Sequence, residues 1–234
     1  MIRREIESLL KEMMSIFPVV TITGPRQSGK TTLVRYLYPE RDYVSLEELD
    51  KRYYAQSDPR GFLSNYPDGV IIDEIQKVAD LLSYIQTIVD SGKKNGRYIL
   101  TGSNQFEYMS SISQSLAGRT GILKLLPFSY HELYGDKYIP QDLVIYPGFY
   151  PRISDENMRP ELFHTSYLGT YIERDVKDVA KIGDQMQFHR FIQICAGRTG
   201  QIINYNSISN ELGIDAKTVK KWLSIAMSGY IIYL

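Results

Sequence analysis

The pattern of apolar residues predicts an α/β fold for most of the chain. Apolar and β-branched residues concentrate at 19–23, 42–45, 70–72, 97–101 and 122–126, with an uninterrupted apolar run at 70–72, and between them lie longer segments with apolar positions three or four apart. Continuous runs are typical of parallel strands buried on both faces, and the longer spacing is typical of amphipathic helices. We therefore predict a five-stranded parallel sheet with helices on both faces, over residues 1–135.

The rest of the chain has a different pattern. Prolines and glycines interrupt residues 136–161, which is the composition of a connector. From 162 onward the spacing is helical, and residues 162–234 are expected to form a small, mainly helical domain.

The last part of that domain resembles a DNA-binding arrangement of helices. Helical segments at 207–212 and 215–228 are separated by Gly213, and an apolar run begins at Tyr230. That order predicts a helix-turn-helix followed by the first strand of a wing, a winged-helix-like unit. Because a strand needs a partner and the chain stops at Leu234 inside this one, we expect a fragment of a longer protein.

Composition narrows the function only slightly. Lys and Arg total 27 and so do Asp and Glu, so no global field favours nucleic acid or an acidic membrane. The lone Cys195 cannot form an internal disulfide, and no long apolar segment or signal peptide is evident. The expectation is a cytoplasmic protein that does not contact membranes.

The strongest chemical signal follows the first predicted strand. Gly24, four further residues and then Gly29-Lys30-Thr31 form a P-loop, in which backbone N–H groups wrap a phosphate chain at a helix N-terminus. The lysine reaches the β- and γ-phosphates, and the threonine hydroxyl ligates Mg²⁺. The residues expected to bind the nucleotide are Gly24, Pro25, Arg26, Gln27, Ser28, Gly29, Lys30, Thr31 and Thr32.

Two carboxylates stand at the end of the third predicted strand, where open α/β sheets bind ligands. Asp73 fits the Walker B residue that holds Mg²⁺ together with Thr31, and Glu74 fits the base that polarises the attacking water. One strand and one helix separate this strand from the P-loop strand in sequence. That insertion favours P-loop proteins whose two motifs lie on non-adjacent strands.

Two further residues are candidates for acting on the γ-phosphate. Asn104, or alternatively Ser103, follows the fourth strand and would position the lytic water, although an ordinary loop has the same composition. Arg119 follows a predicted helix, and could act on the nucleotide of its own or a neighbouring subunit. It could equally interact with that helix's dipole. The trans role would require a homo-oligomer.

Basic residues on the last helix suggest a nucleic-acid partner. Lys217, Lys220 and Lys221 are predicted to lie on its exposed face, where a DNA-binding helix would contact phosphates. Many such modules bind protein instead or only pack against their own domain.

Several phrases together resemble a known family, the bacterial and archaeal AAA+-superfamily ATPases in which an AAA domain precedes a domain of unknown function. The phrases are TGPRQSGKTTL (23–33), VIIDEIQK (70–77), LTGS (100–103), SLAGR (115–119), LPFS (126–129), YIERDV (171–176) and GQIIN (200–204). The resemblance implies ATP rather than GTP, with Lys30 and Thr31 binding phosphate and Mg²⁺, and Asp73 and Glu74 forming Walker B. It also implies a nuclease-like C-terminal part beyond this chain.

Two functions remain open from sequence. One is Mg²⁺-dependent ATP hydrolysis that moves the helix-turn-helix module, and the other is a nucleotide-gated switch for DNA or protein with little turnover. Phosphate transfer to a small molecule is a third reading, disfavoured because no acceptor-site motif accompanies the P-loop.

Overall fold

The computed structural model describes residues 2–92, 94–102, 112, 115–171 and 185–234. The chain divides into two compact units, Met1–Met158 and Arg159–Leu234. The division falls inside the segment predicted to be a connector. Each unit has its own core and is described by itself.

The first unit contains the sheet. Its strands are β1 (Val19–Thr23), β2 (Tyr43–Ser45), β3 (Val70–Asp73), β4 (Tyr98–Thr101) and β5 (Thr120–Lys124). Its described α-helices are α1 (Glu7–Ile16), α2 (Lys30–Leu37), α3 (Leu49–Ser57), α4 (Pro59–Ser64), α5 (Leu81–Ser91), α6 (Tyr130–Tyr134), α7 (Gln141–Ile145) and α8 (Pro151–Ser154). A 3₁₀ helix spans Ile75–Val78.

The strands pair in the order β2-β3-β4-β1-β5, and every pairing is parallel. The predicted five-stranded parallel sheet is therefore confirmed. Because β4 lies between β1 and β3, the P-loop and the acidic pair are on non-adjacent strands, as their spacing in sequence indicated.

Alternate strand residues enter two hydrophobic cores, one on each face of the sheet. Val70 and Ile72 pack on one face with α5, while Ile71 packs on the other with Leu10 of α1 and Leu33 of α2. Strands β1, β3 and β4 are buried at every position, which explains the apolar run at Val70–Ile72, whereas the edge strands β2 and β5 are only partly buried.

Local signals place several helix ends. Ser129, with Glu132 three residues further on, predicts a capping box at the start of α6. In the structure Ser129 accepts a hydrogen bond from the backbone N–H of Glu132, whose carboxylate accepts from the N–H of Ser129, so this prediction is confirmed. Apolar residues at helical spacing predict an amphipathic helix over residues 2–17, with Arg4 on its polar face, but the helix begins later, at Glu7. Residues before it are held by tertiary contacts of Arg4, described below.

The second unit is helical in its described part. It contains α9 (Pro160–Tyr171), α10 (Gln185–Gly197), α11 (Tyr205–Leu212) and α12 (Ala216–Ser228). Phe188 and Phe191 of α10 pack edge-on against Trp222 of α12 in its core. Gly213 ends α11 in the left-handed conformation and Asp215 caps α12, which confirms the predicted turn between these two helices.

The strand predicted at the chain end is not formed. Ile231 and Ile232 donate backbone hydrogen bonds back to the carbonyl of Ala226, and both pack against the helical core. Closing the end of α12 in this way satisfies backbone groups that a strand would have to pair elsewhere. The prediction of a wing strand at Tyr230 was therefore wrong for these residues. No helix among those described is both long enough and apolar enough to cross a bilayer.

Candidate functional site

The loop between β1 and α2 has a backbone that only glycine adopts easily at its two ends. Gly24 has φ +145°, and a Cβ there would lie 2.0 Å from the carbonyl oxygen of Leu125, which directly follows the neighbouring strand β5. Gly29, which immediately precedes α2, has φ +90°. A side chain at Gly24 would collide with backbone, and one at Gly29 would be strained. These two glycines let the loop curl against the end of the sheet.

Lys30 is buried at the centre of that curl. Its ammonium donates to the carbonyl oxygens of Gly24 at 3.0 Å and Pro25 at 2.7 Å. Within the described atoms, the buried hydroxyl of Ser28 has no hydrogen-bond partner. An ammonium and an unpaired hydroxyl enclosed by a glycine loop suit a phosphate group, which accepts hydrogen bonds from both.

Asp73 ends β3 and collects hydroxyl donors from three elements. Its Oδ2 accepts from Thr31 Oγ1 and from the Tyr43 hydroxyl, each at 2.9 Å. Its Oδ1 accepts from the Thr101 hydroxyl at the end of β4 and from the backbone N–H of Glu74. Asp73 as a whole residue is 8% exposed. The predicted metal residues Thr31 and Asp73 are thus in direct contact.

Glu74 adopts a left-handed backbone conformation, with φ +55°. This is uncommon for a non-glycine residue and costs about 1–3 kcal/mol, so it marks a place where surrounding structure imposes the geometry. The Gln76 amide donates to the Glu74 carboxylate. Burial and, next, the charge of Asp73 raise the pKa of Glu74, while Arg26 and Lys30 act to lower it.

The remaining predicted P-loop residues stay close to this edge of the sheet. Gln27 also has positive φ, +58°, within the loop. Thr32 is exposed in the first turn of α2. Ser103 and Asn104, the two candidates for the water-positioning residue, lie outside the described residues. The carboxyl ends of β1, β3 and β4 therefore bring together the loop, the acidic pair and Thr101.

Arg119 lies at the amino ends of the strands, opposite the end of the sheet that carries the P-loop. It directly precedes β5, and its carbonyl accepts a hydrogen bond from the backbone N–H of Val19 at the start of β1. The P-loop begins at the other end of β1, about 13 Å along the strand. This placement argues against action on the nucleotide of its own chain, and the trans role stays a prediction.

A carboxylate that the sequence did not reveal pairs with Arg119. Its Nη2 donates to Asp90 Oδ2 at 2.9 Å, and its Nη1 donates to the Ala117 carbonyl at 3.0 Å. The two residues of this ion pair are 29 apart in the chain, so no local sequence pattern indicates it. Asp90 belongs to α5, which packs beside the segment only in the folded chain.

Arg4 is a residue of the site's support that pattern reading missed. It was assigned to the polar face of the first helix, yet it is 6% exposed. Its Nη1 donates to the Ser28 carbonyl in the P-loop at 3.0 Å, and its Nη2 donates to the Leu126 carbonyl at 2.7 Å. Its Nε pairs with Glu132 Oε1 at 3.0 Å, and its guanidinium lies 4.7 Å from the centre of the Phe128 ring.

Arg4 and Glu132 therefore connect three segments. The Glu132 carboxylate closes the capping box of α6 with one oxygen and receives Arg4 and the Glu5 backbone N–H with the other. We call this pair the Arg4–Glu132 latch. It ties the N-terminal segment and the β5–α6 connection to the P-loop at Ser28, and no local sequence pattern indicates it.

In the second unit, the three lysines predicted to contact DNA are exposed. Lys217, Lys220 and Lys221 all project from α12. Their exposure permits contact with a partner, and the nature of that partner stays a prediction.

Comparison with known proteins matches both parts of the chain to families. Residues 17–134 match a family described as AAA domain, and residues 141–234 match a domain of unknown function (DUF8612). The uncharacterized proteins Mb2031c of Mycobacterium bovis and Rv2008c of Mycobacterium tuberculosis are each 25% identical over 236 residues. Those matches cover 98% of this chain and 52% of each relative, so the chain spans about half the length of the curated relatives it matches.

Among solved structures, the Walker-type ATPase of Pyrococcus abyssi has a similar fold. Its TM-score is 0.59 with 18% sequence identity, and the match covers 97% of this chain and 89% of that chain. At this identity the likeness concerns the fold alone.

Proposed function

The chain belongs to the AAA-domain family of P-loop ATPases, and from that membership we propose that it binds ATP with Mg²⁺ and hydrolyses it. One observation carries the proposal. The P-loop threonine and the strand-end aspartate are hydrogen-bonded to each other, Thr31 Oγ1 to Asp73 Oδ2, at 2.9 Å. The P-loop and the carboxylate proposed to bind the metal therefore meet at one point. Cleavage of a nucleoside triphosphate needs this arrangement.

In this proposal the loop binds the phosphates. The Lys30 ammonium would exchange its contacts with the Gly24 and Pro25 carbonyls for phosphate oxygens, which are stronger acceptors because they are charged. The Ser28 hydroxyl would donate to the same group. Both side chains are buried, so little water competes for these hydrogen bonds.

The donor set of Thr31 and Asp73 fits Mg²⁺, which prefers hydroxyl and carboxylate oxygens and retains several waters. When bound, the ion would neutralise charge on the phosphate chain. The hydroxyls of Tyr43 and Thr101 hold the Asp73 carboxylate in orientation. Such outer partners usually affect metal affinity strongly.

Glu74 is the proposed general base. It directly follows Asp73, and its raised pKa brings it closer to the working pH of a base. The Gln76 amide holds its carboxylate. Asn104, or alternatively Ser103, remains proposed as the water-positioning residue, and Arg119 as a contributor from a neighbouring subunit.

Steady-state phosphate release and ATP-analogue binding test this function. Lys30→Ala should weaken nucleotide binding about 10- to 100-fold, since it removes charge-assisted hydrogen bonds. Glu74→Gln should retain ATP and lose turnover by about 10²- to 10⁴-fold. The exposed Lys51→Ala and Glu12→Gln are matched controls that should behave as the parent.

Each outcome decides between alternatives. Parental turnover in Glu74→Gln would refute the base assignment. If the parent chain bound ATP tightly but released negligible phosphate, the nucleotide-gated switch would be favoured instead. Repeating the assay with duplex DNA, and with Lys217, Lys220 and Lys221 replaced by Gln, tests whether α12 couples DNA to turnover.

A further inference from the structure

The first unit contains a cavity beside Asp73, on the side formed by β2 and α2. It has a volume of about 490 Å³, within the range of small-molecule sites. Its lining includes Thr31, Thr32, Arg35, Tyr38, Arg41 and Tyr43. None of the described residues that line it carries a carboxylate.

The two arginines of this cavity have no acidic partner among the described residues. The Arg35 guanidinium lies 4.9 Å from the centre of the Tyr43 ring, and that of Arg41 lies 5.7 Å from the centre of the Tyr38 ring. Arg41 also donates to the Arg97 carbonyl at 3.1 Å. These contacts orient the two cations without neutralising them.

Arg41 shows the energetic consequence. It is half-buried, and burial lowers the pKa of its guanidinium. Partly buried charges are normally paired, because leaving water costs free energy that a counter-ion returns. Two oriented guanidinium groups that have no carboxylate partner are therefore suited to bind an anion with several oxygens.

Hydroxyl groups add neutral donors to the same cavity. The Tyr38 oxygen is buried and has no hydrogen-bond partner within the described atoms. Burial raises the pKa of Tyr38, so the phenol remains protonated and can donate. Thr32, exposed at the other side of the lining, offers a second hydroxyl.

We propose that this cavity binds a small molecule through an oxyanion, a phosphate or a carboxylate, held by Arg35, Arg41 and the Tyr38 hydroxyl. Thr31 and Tyr43 line the cavity and both donate to Asp73 Oδ2. A ligand here would lie on the metal side of the nucleotide. That relation rests on the proposed function, whereas the binding of the anion does not.

Calorimetric titration of inorganic phosphate, with malonate as the carboxylate arm, tests the proposal at low ionic strength. The P-loop is removed as a competing site in two ways, by saturation with Mg²⁺ and a non-hydrolysable ATP analogue, and by Lys30→Ala. Binding should persist in both backgrounds. Arg35→Gln combined with Arg41→Gln should weaken it about tenfold or more, because charge-assisted hydrogen bonds are lost.

Controls separate recognition from folding and from general charge. Arg3→Gln removes one exposed cation elsewhere and should leave binding unchanged. Arg35→Gln alone changes an exposed side chain, so it tests the site even where the double variant unfolds. If only phosphate or only malonate binds, that anion identifies the ligand class. If both bind, the cavity accepts either kind of oxyanion.

Two results would overturn the proposal. One is that neither anion binds in either background, and the other is that the arginine variants bind as the parent does. If the parent chain did not bind nucleotide, the ATPase proposal would be refuted. Anion binding measured in the Lys30→Ala variant would still test the cavity. The two failures are therefore distinguishable.

Discussion

Replacing Arg4 by Met removes the charge of the Arg4–Glu132 latch while keeping a long apolar side chain. The guanidinium lies in a site where both partners are buried, with side-chain exposures of 6% and 5%. Met cannot donate to Glu132 or to the Ser28, Leu126 and Pro127 carbonyls. The variant therefore leaves one buried carboxylate and three carbonyls without the arginine donor.

The expected cost follows from this burial. Removing one partner of a buried ion pair costs about 3–5 kcal/mol, since the remaining charge stays buried without compensation. For a unit of this size, such a loss lowers the melting temperature by about 6–20 °C. Arg4→Lys keeps the charge but reaches only one of the acceptors, so it should recover a minor part of the loss.

Urea unfolding and thermal melting measure these effects, with Arg3→Met as the matched control. The Arg3 side chain is 89% exposed, so its replacement should change the unfolding free energy by no more than about 0.5 kcal/mol. Glu132→Gln, made alone and with Arg4→Met, measures the coupling between the partners. Because Nη1 holds the Ser28 carbonyl, Arg4→Lys should also weaken ATP-analogue binding at temperatures where it remains folded.

The reasoning would be refuted if Arg4→Met melted within about 2 °C of Arg3→Met, since that result would mean that the latch contributes no more than an exposed arginine does. If Arg4→Lys were destabilised but bound the nucleotide as tightly as the parent, the latch would stabilise the fold without affecting the P-loop.

Three further predictions concern the site itself. Tyr43→Phe removes one donor to Asp73, the carboxylate proposed to bind the metal, and should raise the Mg²⁺ concentration for half-maximal turnover about tenfold. The exposed Tyr36→Phe should not. Because burial raises the pKa of Glu74, it stays protonated to higher pH than an ordinary glutamate, so the acid limb of kcat/KM should lie above the usual glutamate range and vanish in Glu74→Gln. If Arg119 acts in trans, Arg119→Ala should lower turnover while Asp90→Asn, which breaks the same ion pair, should not; equal effects of the two would indicate a structural role only.

Much of the sheet could be predicted because its signals are local. A strand buried on both faces must be apolar at successive positions, as at Val70, Ile71 and Ile72. A helix cap needs an oxygen within a few residues, as at Ser129 and Asp215. These requirements involve neighbours in sequence, so residue order alone reveals them.

The contacts that were missed join residues far apart in the chain. Arg4 and Glu132 are 128 residues apart, and Tyr43 and Asp73 are 30 apart. A polar side chain in an amphipathic segment is expected to face water unless a partner is known. Only the strand order brings β2 beside β3 and the β5–α6 connection beside the P-loop. The same limitation hid the Asp90 partner of Arg119.

The sequence by itself determined the phosphate loop, the acidic pair and the parallel sheet, because each depends on residue types at short fixed spacing. The tertiary structure decided which hydroxyls surround Asp73, that Arg4 supports the P-loop, that Arg119 lies at the opposite edge, and that the final residues cover a helical core. Those outcomes depend on which surfaces meet when the strands order themselves. Most buried polar groups then pair with whichever partner the fold brings within reach.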